Sequence, residues 1–585
     1  MTTISMQPGA MPATQHAIQF VAPGRLVHNR DKPVPVPGPT QLILRVEAVG
    51  VCFSDTKLLK AFDTHLRKAA VIGGIDPAEL AQNPSYVPGA HPTVPGHECA
   101  GRIVAVGEAV RRHRVGERVL VQTDYRHLPT PGSNAAFGYD FEGGMQEYVL
   151  LDERMILEPG TGERFLIPVG EEPSSSAVAL LEPWACVEAA YSTRERSRLA
   201  TEGRLLVVAD PGHAVRGLVP LVTATPPAAV TAVLVDGIQR AALDAALFQA
   251  GATTGPAVRE AGAVAPAVDL ATLPAESFDD IVYFGADPDR IEALQGLLAP
   301  RGVLDVVLGS ARVGRQVAID VGRIHYDLVR WVGTTGDMAA DGYAMAPADG
   351  ELRDGDRVAV VGAAGPMGFM HVVRAETTGR TGLSVTAIDI DDERLARLAE
   401  IAAPLAADRG ADVRFVNGRT GDPGTGHDYV AVMVPSPAIV AQAIAIAGRG
   451  CRINLFAGFA VGTRADVDLD AVLAKRAYLF GTSGSEIPDM KAVLARLERG
   501  ELDTNVSVGA VAGMEGVREA LDAVESRASG GKIVVYPTLH ELGFVPLSEM
   551  AKRLPAVAAR LDDGRWTRAA EEALLAGCEE AADRT

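Results

Sequence analysis

The sequence predicts an α/β chain: a β-rich N-terminal domain followed by two tandem doubly wound domains. Short alternating strands separated by Pro/Gly turns fill roughly the first 190 residues. From about residue 200, short apolar strands alternate with Ala/Leu/Arg-rich helical stretches, the pattern of βαβ units on a parallel sheet. That second texture occurs twice, about 150 residues apart, which reads as a duplicated domain rather than a solenoid.

In the β-rich part, Leu42, Leu44 and Val46 alternate with other residues, and Arg102–Gly107 reads as a strand ending in a glycine turn. The clusters Pro35–Pro39 and Pro129–Ser133 mark turns. The first βαβ copy opens on Gly203–Val208 and closes on Arg301–Leu304 and Gly333–Gly336. The second opens on Gly355–Val361 and closes on Arg449–Arg452 and Gly481–Gly484. The Ala/Gly/Asp-rich stretch 337–354 reads as a linker. These signals predict domains at 1–195, 200–340 and 350–500, a return segment at 501–540 and a helical tail at 541–585.

The chain has 585 residues, 47% hydrophobic and 22% charged, which suits a globular protein with a large core. Its net charge of −19 makes nucleic acid an unfavourable partner and offers no basic face to an anionic membrane. No apolar run is long enough to span a bilayer, and Met1–Met6 lacks the basic-then-apolar pattern of a leader, so a cytoplasmic protein is expected. The five cysteines, Cys52, Cys99, Cys186, Cys451 and Cys578, are odd in number and widely spaced. A disulfide framework is therefore disfavoured, and a metal-binding or catalytic thiol is worth seeking.

The second copy carries a dinucleotide fingerprint. Strand Val358–Val361 runs into Gly362-Ala363-Ala364-Gly365-Pro366-Met367-Gly368 and then a helical stretch. The first glycine permits the tight turn, Gly365 lets backbone approach a pyrophosphate, and Gly368 lets the helix pack on the strand. Asp389 follows about 20 residues on, where a carboxylate takes the adenosine ribose hydroxyls and repels a 2′-phosphate. Strand, glycines, helix and acid agree, which an ordinary turn with incidental glycines would not arrange; NAD is expected in preference to NADP. In the first copy, Ala209 and Val215 replace the outer glycines and Asp210 sets a negative charge beside any phosphate. Asp236 keeps the ribose position, but that copy reads as a Rossmann-like fold without NAD.

Cys52, His97, Glu98 and Glu182 stand in Gly50-Val51-Cys52-Phe53-Ser54-Asp55, Gly96-His97-Glu98-Cys99 and Leu181-Glu182-Pro183-Trp184-Ala185-Cys186. A thiolate, an imidazole and one or two carboxylates form a catalytic zinc set. With these motifs and the downstream fingerprint, the sequence resembles zinc-dependent medium-chain dehydrogenases of the alcohol and sorbitol dehydrogenase family. Glu182-Pro183 and Gly481-Thr482-Ser483-Gly484 look most like its polyol and sugar-phosphate members, such as sorbose-phosphate reductase.

The resemblance implies a GroES-like catalytic domain, a cytoplasmic oxidoreductase acting on CH–OH donors, and Cys52 and His97 as zinc ligands. Glu182, at a helix entrance before Pro183, matches the third ligand position. Glu98 either sits under the metal or swings in as a ligand, since adjacent side chains of an extended chain face opposite ways. Asp55 resembles the carboxylate that holds the ligand histidine, and Ser54 the proton relay. Lys57 stands where many relatives carry a second relay histidine. The four-cysteine structural zinc lobe of many relatives is missing, so one catalytic zinc is expected.

The expected reaction is hydride transfer between NAD and an alcohol or ketone, with a polyol, sugar or sugar phosphate as the small-molecule partner. A non-catalytic NAD-binding scaffold, or a zinc-independent reductase or lyase on the same fold, is the alternative. Lys57, Lys60, Arg67 and Lys68 read as a solvated face sooner than as a phosphate site. In relatives, dimers form by edge pairing of the last cofactor-domain strand. Here that strand occurs twice, at Arg330–Val332 and Ala477–Phe480. The two copies are therefore expected to pair within the chain as a pseudo-dimer, which covers an apolar edge.

Overall fold

In the computed structural model, residues 5–6, 11–250, 259–260, 270–460 and 462–582 are described. The chain divides into two compact units, Met1–Glu188 with Gly484–Thr585, and Ala189–Ser483. Among the described residues, no helix is long and apolar enough to cross a membrane.

The first unit is organised around strand Gln41–Val51, whose sequence QLILRVEAVGV is buried along most of its length. It pairs antiparallel with Glu98–Val106 and Tyr148–Asp152, and with Lys532–Val535 from the far end of the chain. Gly50 lies opposite both Glu98 and Val534, so the register sets residues about 50 and 480 positions away beside one glycine. The nine-stranded sheet continues through Arg118–Val121 and Leu166–Pro168 on one side and Val508–Ala512 and Val545–Pro546 on the other. Phe20, Val49, Val51, Leu58, Met145, Ala510 and Ile533 pack in its core.

The predicted tail differs in structure from a plain helical extension. Val545–Pro546 is a sheet strand, and helix Arg568–Ala582 follows two short helices. Trp566 is 1% exposed and donates from Nε1 to Ser176 Oγ at 3.1 Å. Glu571 accepts the backbone N–H groups of Ser175 and Ser176 at 2.6 and 2.8 Å, satisfying free donors at the start of helix Ser175–Ala179.

The second unit holds one twelve-stranded sheet. The strands Arg204–Ala209, Ala229–Val233, Arg259–Glu260, Phe278–Phe284, Leu298–Val307 and Arg330–Thr334 lie in the order 3-2-1-4-5-6. The strands Arg357–Val361, Ser384–Asp389, Asp412–Asn417, His427–Val432, Ala447–Leu455 and Tyr478–Phe480 repeat that order in reverse direction across the sheet. It is the strand order of a dinucleotide-binding fold. Within each set the pairing is parallel; the sets meet antiparallel at Trp331 opposite Leu479. A second antiparallel ladder joins Val317–Asp320 to Arg464–Val467. At the seam, buried Arg330 pairs with Glu195 at 2.7 Å, and Tyr478 donates its hydroxyl to the same carboxylate at 2.5 Å.

The stretch 337–354 is packed rather than a free linker. It contains helix Ala339–Tyr343, and fully buried Tyr343 donates to Asp280 Oδ1 at 2.6 Å. Its Ala/Gly content reflects close packing: a Cβ on Gly342 would stand 1.9 Å from Asp305 Oδ1.

Candidate functional site

Strand Gln41–Val51 ends at Cys52, which is extended (φ −118°, ψ 156°) and caps helix Phe53–Ala61. The Cys52 N–H donates to Asp55 Oδ2 at 2.8 Å, fixing the turn. His97 enters from the opposite strand just after Gly96, whose φ of +94° bends the backbone where a Cβ would meet Met145 at 2.8 Å. Cys52, His97 and Glu98 each offer a ligand atom within 4.8 Å of the others.

The surrounding groups hold these three. Asp55 Oδ1 lies 3.3 Å from His97 Nδ1, and Ser54 Oγ lies 3.2 Å from His97 Nε2. Thr123 Oγ1 donates to the His97 carbonyl at 2.9 Å. Burial lowers the His97 pKa, but Tyr139 and Asp55 outweigh it and carry the imidazole well above its ordinary value. Glu98 is fully buried; its Oε1 receives Lys532 Nζ at 2.5 Å, and its Oε2 has no hydrogen-bond partner among the described residues. A Cβ on residue 50 would stand 2.0 Å from that Oε2, so only glycine admits the carboxylate there. A thiol, an imidazole and a carboxylate with a free buried oxygen fit a borderline-soft divalent ion such as zinc.

Glu182 lies outside this three-residue group, but burial pushes its carboxyl up while His97 lowers it and Glu98 and Asp124 raise it. One helical turn on, Cys186 donates from Sγ to Glu182 Oε1 at 3.6 Å. Lys57 is exposed, with Nζ 5.6 Å from the Phe53 ring centroid. Lys68 is fully buried and donates to the His91 carbonyl at 2.7 Å, and Arg67 pairs with Asp124 at 2.7 Å; neither belongs to a solvated face.

In the second unit, Gly362 has φ +85°, and a Cβ there would meet Val434 at 2.8 Å. A Cβ on Gly368 would stand 2.2 Å from the Gly362 carbonyl oxygen, so helix Pro366–Glu376 packs against the loop only with glycine. Gly365 is the helix N-cap, Pro366 occupies the first turn with Met367 beside it, and a Cβ on Gly365 would meet nothing closer than 3.5 Å. Asp389 Oδ2 accepts from Ala364 N–H at 3.0 Å, tying the strand-end acid to the loop.

The corresponding loop after Arg204–Ala209 is closed by its own side chains. Asp210 pairs with Arg290 at 2.5 Å and accepts the Tyr283 hydroxyl, and Gln239 donates to the carbonyls of Asp210 and His213. Asp236 caps helix Gly237–Gln249, accepting from Ile238 and Gln239 N–H at 2.9 and 2.8 Å.

Residues 38–160 match the family described as Alcohol dehydrogenase GroES-like domain. D-altritol 5-dehydrogenase of Agrobacterium fabrum is 30% identical over 182 residues, covering 29% of this chain and 44% of the relative. Sorbitol dehydrogenase of Halalkalibacterium halodurans is 27% identical over 214 residues, covering 35% and 50%. Over these segments the chain is similar to alcohol and polyol dehydrogenases, and residues 38–160 form the matching GroES-like domain. An Escherichia coli relative, uncharacterized protein YggP, is 29% identical over 246 residues, covering 38% of this chain and 57% of its own length. The chain thus spans about half the length of the curated relatives it matches.

Sequence reasoning assigned no site role to Lys532, Cys186, Tyr139 or the Arg67–Asp124 pair. Cys186 carried a usable signal: it follows Glu182 by one helical turn, which puts the two on one face. Lys532 carried none, since only the sheet register brings it to Glu98.

Proposed function

We propose that the chain is a zinc-dependent oxidoreductase moving a hydride between NAD and the CH–OH carbon of a polyol or sugar. The observation that carries this is the convergence of Cys52, His97 and Glu98 around an unpartnered Glu98 oxygen. When bound, zinc would supply Lewis acidity to a substrate oxygen, and NAD the hydride acceptor. Cys52, His97 and Glu98 would hold the metal, with Glu182 the further carboxylate at hand. Asp55 Oδ1, 3.3 Å from His97 Nδ1, favours that side of the ring by its charge, and Nε2, which Ser54 Oγ contacts, is the nitrogen that would turn to the metal. Ser54 is the proton relay in this reading, and its Oγ beside His97 Nε2 supports that; the exposed position of Lys57 favours it less.

NAD is assigned to the Gly362–Gly368 loop, with Asp389 for the ribose hydroxyls. Two relatives are named for altritol and sorbitol, which supports a polyol substrate. The second unit is read as a duplicated Rossmann domain folded as an intrachain pseudo-dimer. Its support is the repeated strand order and the antiparallel meeting of Trp331 and Leu479. The first copy then plays a partner subunit's part, and the Asp210–Arg290–Tyr283 cluster supports its being without NAD.

The test is metal analysis, NAD titration and turnover on the purified full chain. One zinc and one NAD per chain, with NAD-linked oxidation of a polyol lost in Cys52→Ser, are expected. Two zincs per chain, no NAD binding, or full activity in Cys52→Ser overturns the reading.

A further inference from the structure

The Arg67–Asp124 pair lies beside the proposed metal set: the charges of Glu182 and Cys186 act on Arg67, and that of Asp124 on Glu182. Asp124 follows Thr123, whose hydroxyl holds the His97 carbonyl. Arg67 Nη1 lies 2.7 Å from Asp124 Oδ1, yet that buried oxygen has no aligned hydrogen bond among the described residues, so its accepting capacity is unspent. The guanidinium carbon lies 5.5 Å from the Tyr139 ring centroid, and the Tyr139 and His97 rings are 5.6 Å apart. Arg67 thus connects through one aromatic ring to the imidazole. Its side chain is 25% exposed, so it is reachable, whereas Tyr139 is buried. Glycine at 484 makes room for the pair: a Cβ there would stand 2.7 Å from Asp124 Oδ2.

The charges around this pair decide what it can receive. The carboxylates Asp55, Glu98, Asp124 and Glu182 surround the cations Arg67 and Lys532, and each of these two cations already faces a carboxylate. Arg126 pairs with Glu486 at 3.2 Å. A phosphate dianion at Arg67 would have to compete with Asp124 for the guanidinium and would face the surrounding carboxylates. A hydroxyl meets a better match: it accepts from the guanidinium while donating to Asp124.

We propose that Arg67 and Asp124 form the specificity-determining clamp of the site, holding the hydroxyl next to the reacting carbinol and selecting uncharged vicinal diols over phosphorylated ones. This rests on the oxidoreductase reading above. It is tested with 2,3-butanediol against 2-butanol, which differ in the neighbouring hydroxyl, and with glycerol against glycerol 3-phosphate. The full chain should prefer the diol and the unphosphorylated triol. Arg67→Leu should lower the diol-to-monoalcohol ratio of kcat/KM at least about 10-fold, and calorimetric binding of 2,3-butanediol should weaken with it. The near-isosteric Asp124→Asn should shift the ratio in the same direction, which guards against a folding defect in Arg67→Leu. A purely structural role would lower both alcohols together and leave the ratio unmoved. Turnover of both alcohols with an unchanged ratio, or preference for glycerol 3-phosphate, overturns this assignment alone. No turnover of any of these alcohols overturns the oxidoreductase reading and the clamp together.

Discussion

Replacing Lys532 with Met removes the cation that accompanies the buried Glu98 carboxylate. The Lys532 side chain is 5% exposed and that of Glu98 is 0% exposed, with Nζ 2.5 Å from Oε1. Lys532 also donates to the Val51 carbonyl at 3.0 Å, so the substitution deletes two hydrogen bonds from one ammonium. The bond to the carboxylate contributes about 1.5–3 kcal/mol and the bond to the carbonyl about 1 kcal/mol, and Glu98 is left as an uncompensated buried charge. Removing one partner of such a pair costs about 3–5 kcal/mol. In a unit of this size that should lower the melting temperature by roughly 5–8 °C. The assay is scanning calorimetry on metal-stripped full-length protein, because a bound ion would partly replace the lost positive charge. Only the transition of the unit containing Lys532 should move. The Lys532→Met/Glu98→Gln double variant should recover more than half the loss, since neither change then strands a charge. A single variant melting within about 2 °C of the parent, or a double variant no better than the single, refutes the reasoning.

Two further outcomes follow from the second unit. Gly368→Ala puts a Cβ 2.2 Å from the Gly362 carbonyl oxygen, so it should lower that unit's melting temperature and weaken NAD binding at least about 10-fold. Gly365→Ala, whose nearest neighbour is an Arg394 nitrogen at 3.5 Å, should fold as the parent does; equal stability of the two variants in thermal melts counts against the packing argument. Asp305 is fully buried with both carboxylate oxygens unpartnered among the described residues, and burial, then Asp280 and Asp341, holds its pKa well above the ordinary value. The folded state therefore keeps a proton that the unfolded chain releases near pH 4. The stability this contributes is complete below that pH and falls as pH rises toward the raised folded value, by up to about 1.4 kcal/mol per pH unit. Asp305→Asn, which copies Asn454 from the matching strand of the other half, should stabilise more at pH 8 than at pH 5 in urea unfolding; an equal gain at both refutes it.

What could be read from sequence was local. The strand, glycine loop, helix and acid around Gly362–Asp389 are all within about 30 residues, and Gly362 and Gly368 each have a steric reason that their spacing signals. Cys52 and His97 were legible because each sits in a short turn whose neighbours, Asp55 and Gly96, also have defined roles. The basic run was misread because its periodicity breaks. Helix Phe53–Ala61 ends at Phe62 with φ +41°, so Lys57 and Lys60 remain exposed while Arg67 and Lys68 turn into the protein. Long-range partners had no local signal at all. Lys532 is 434 residues from Glu98, and Glu571 is 396 residues from the Ser175 N–H it accepts. The start of helix Ser175–Ala179 already has a local cap, Ser174, which accepts from Ala177 N–H. A capping rule stops there, although an N-terminus leaves more than one donor free. Those remaining donors made the tail part of the first unit: Glu571 takes them, Tyr536 donates to the same carboxylate at 2.9 Å, and Trp566 closes over Ser176. A segment that reads as an appendix by composition is held by hydrogen-bond demand created near residue 175, and that demand is visible only when each buried donor is traced to its acceptor.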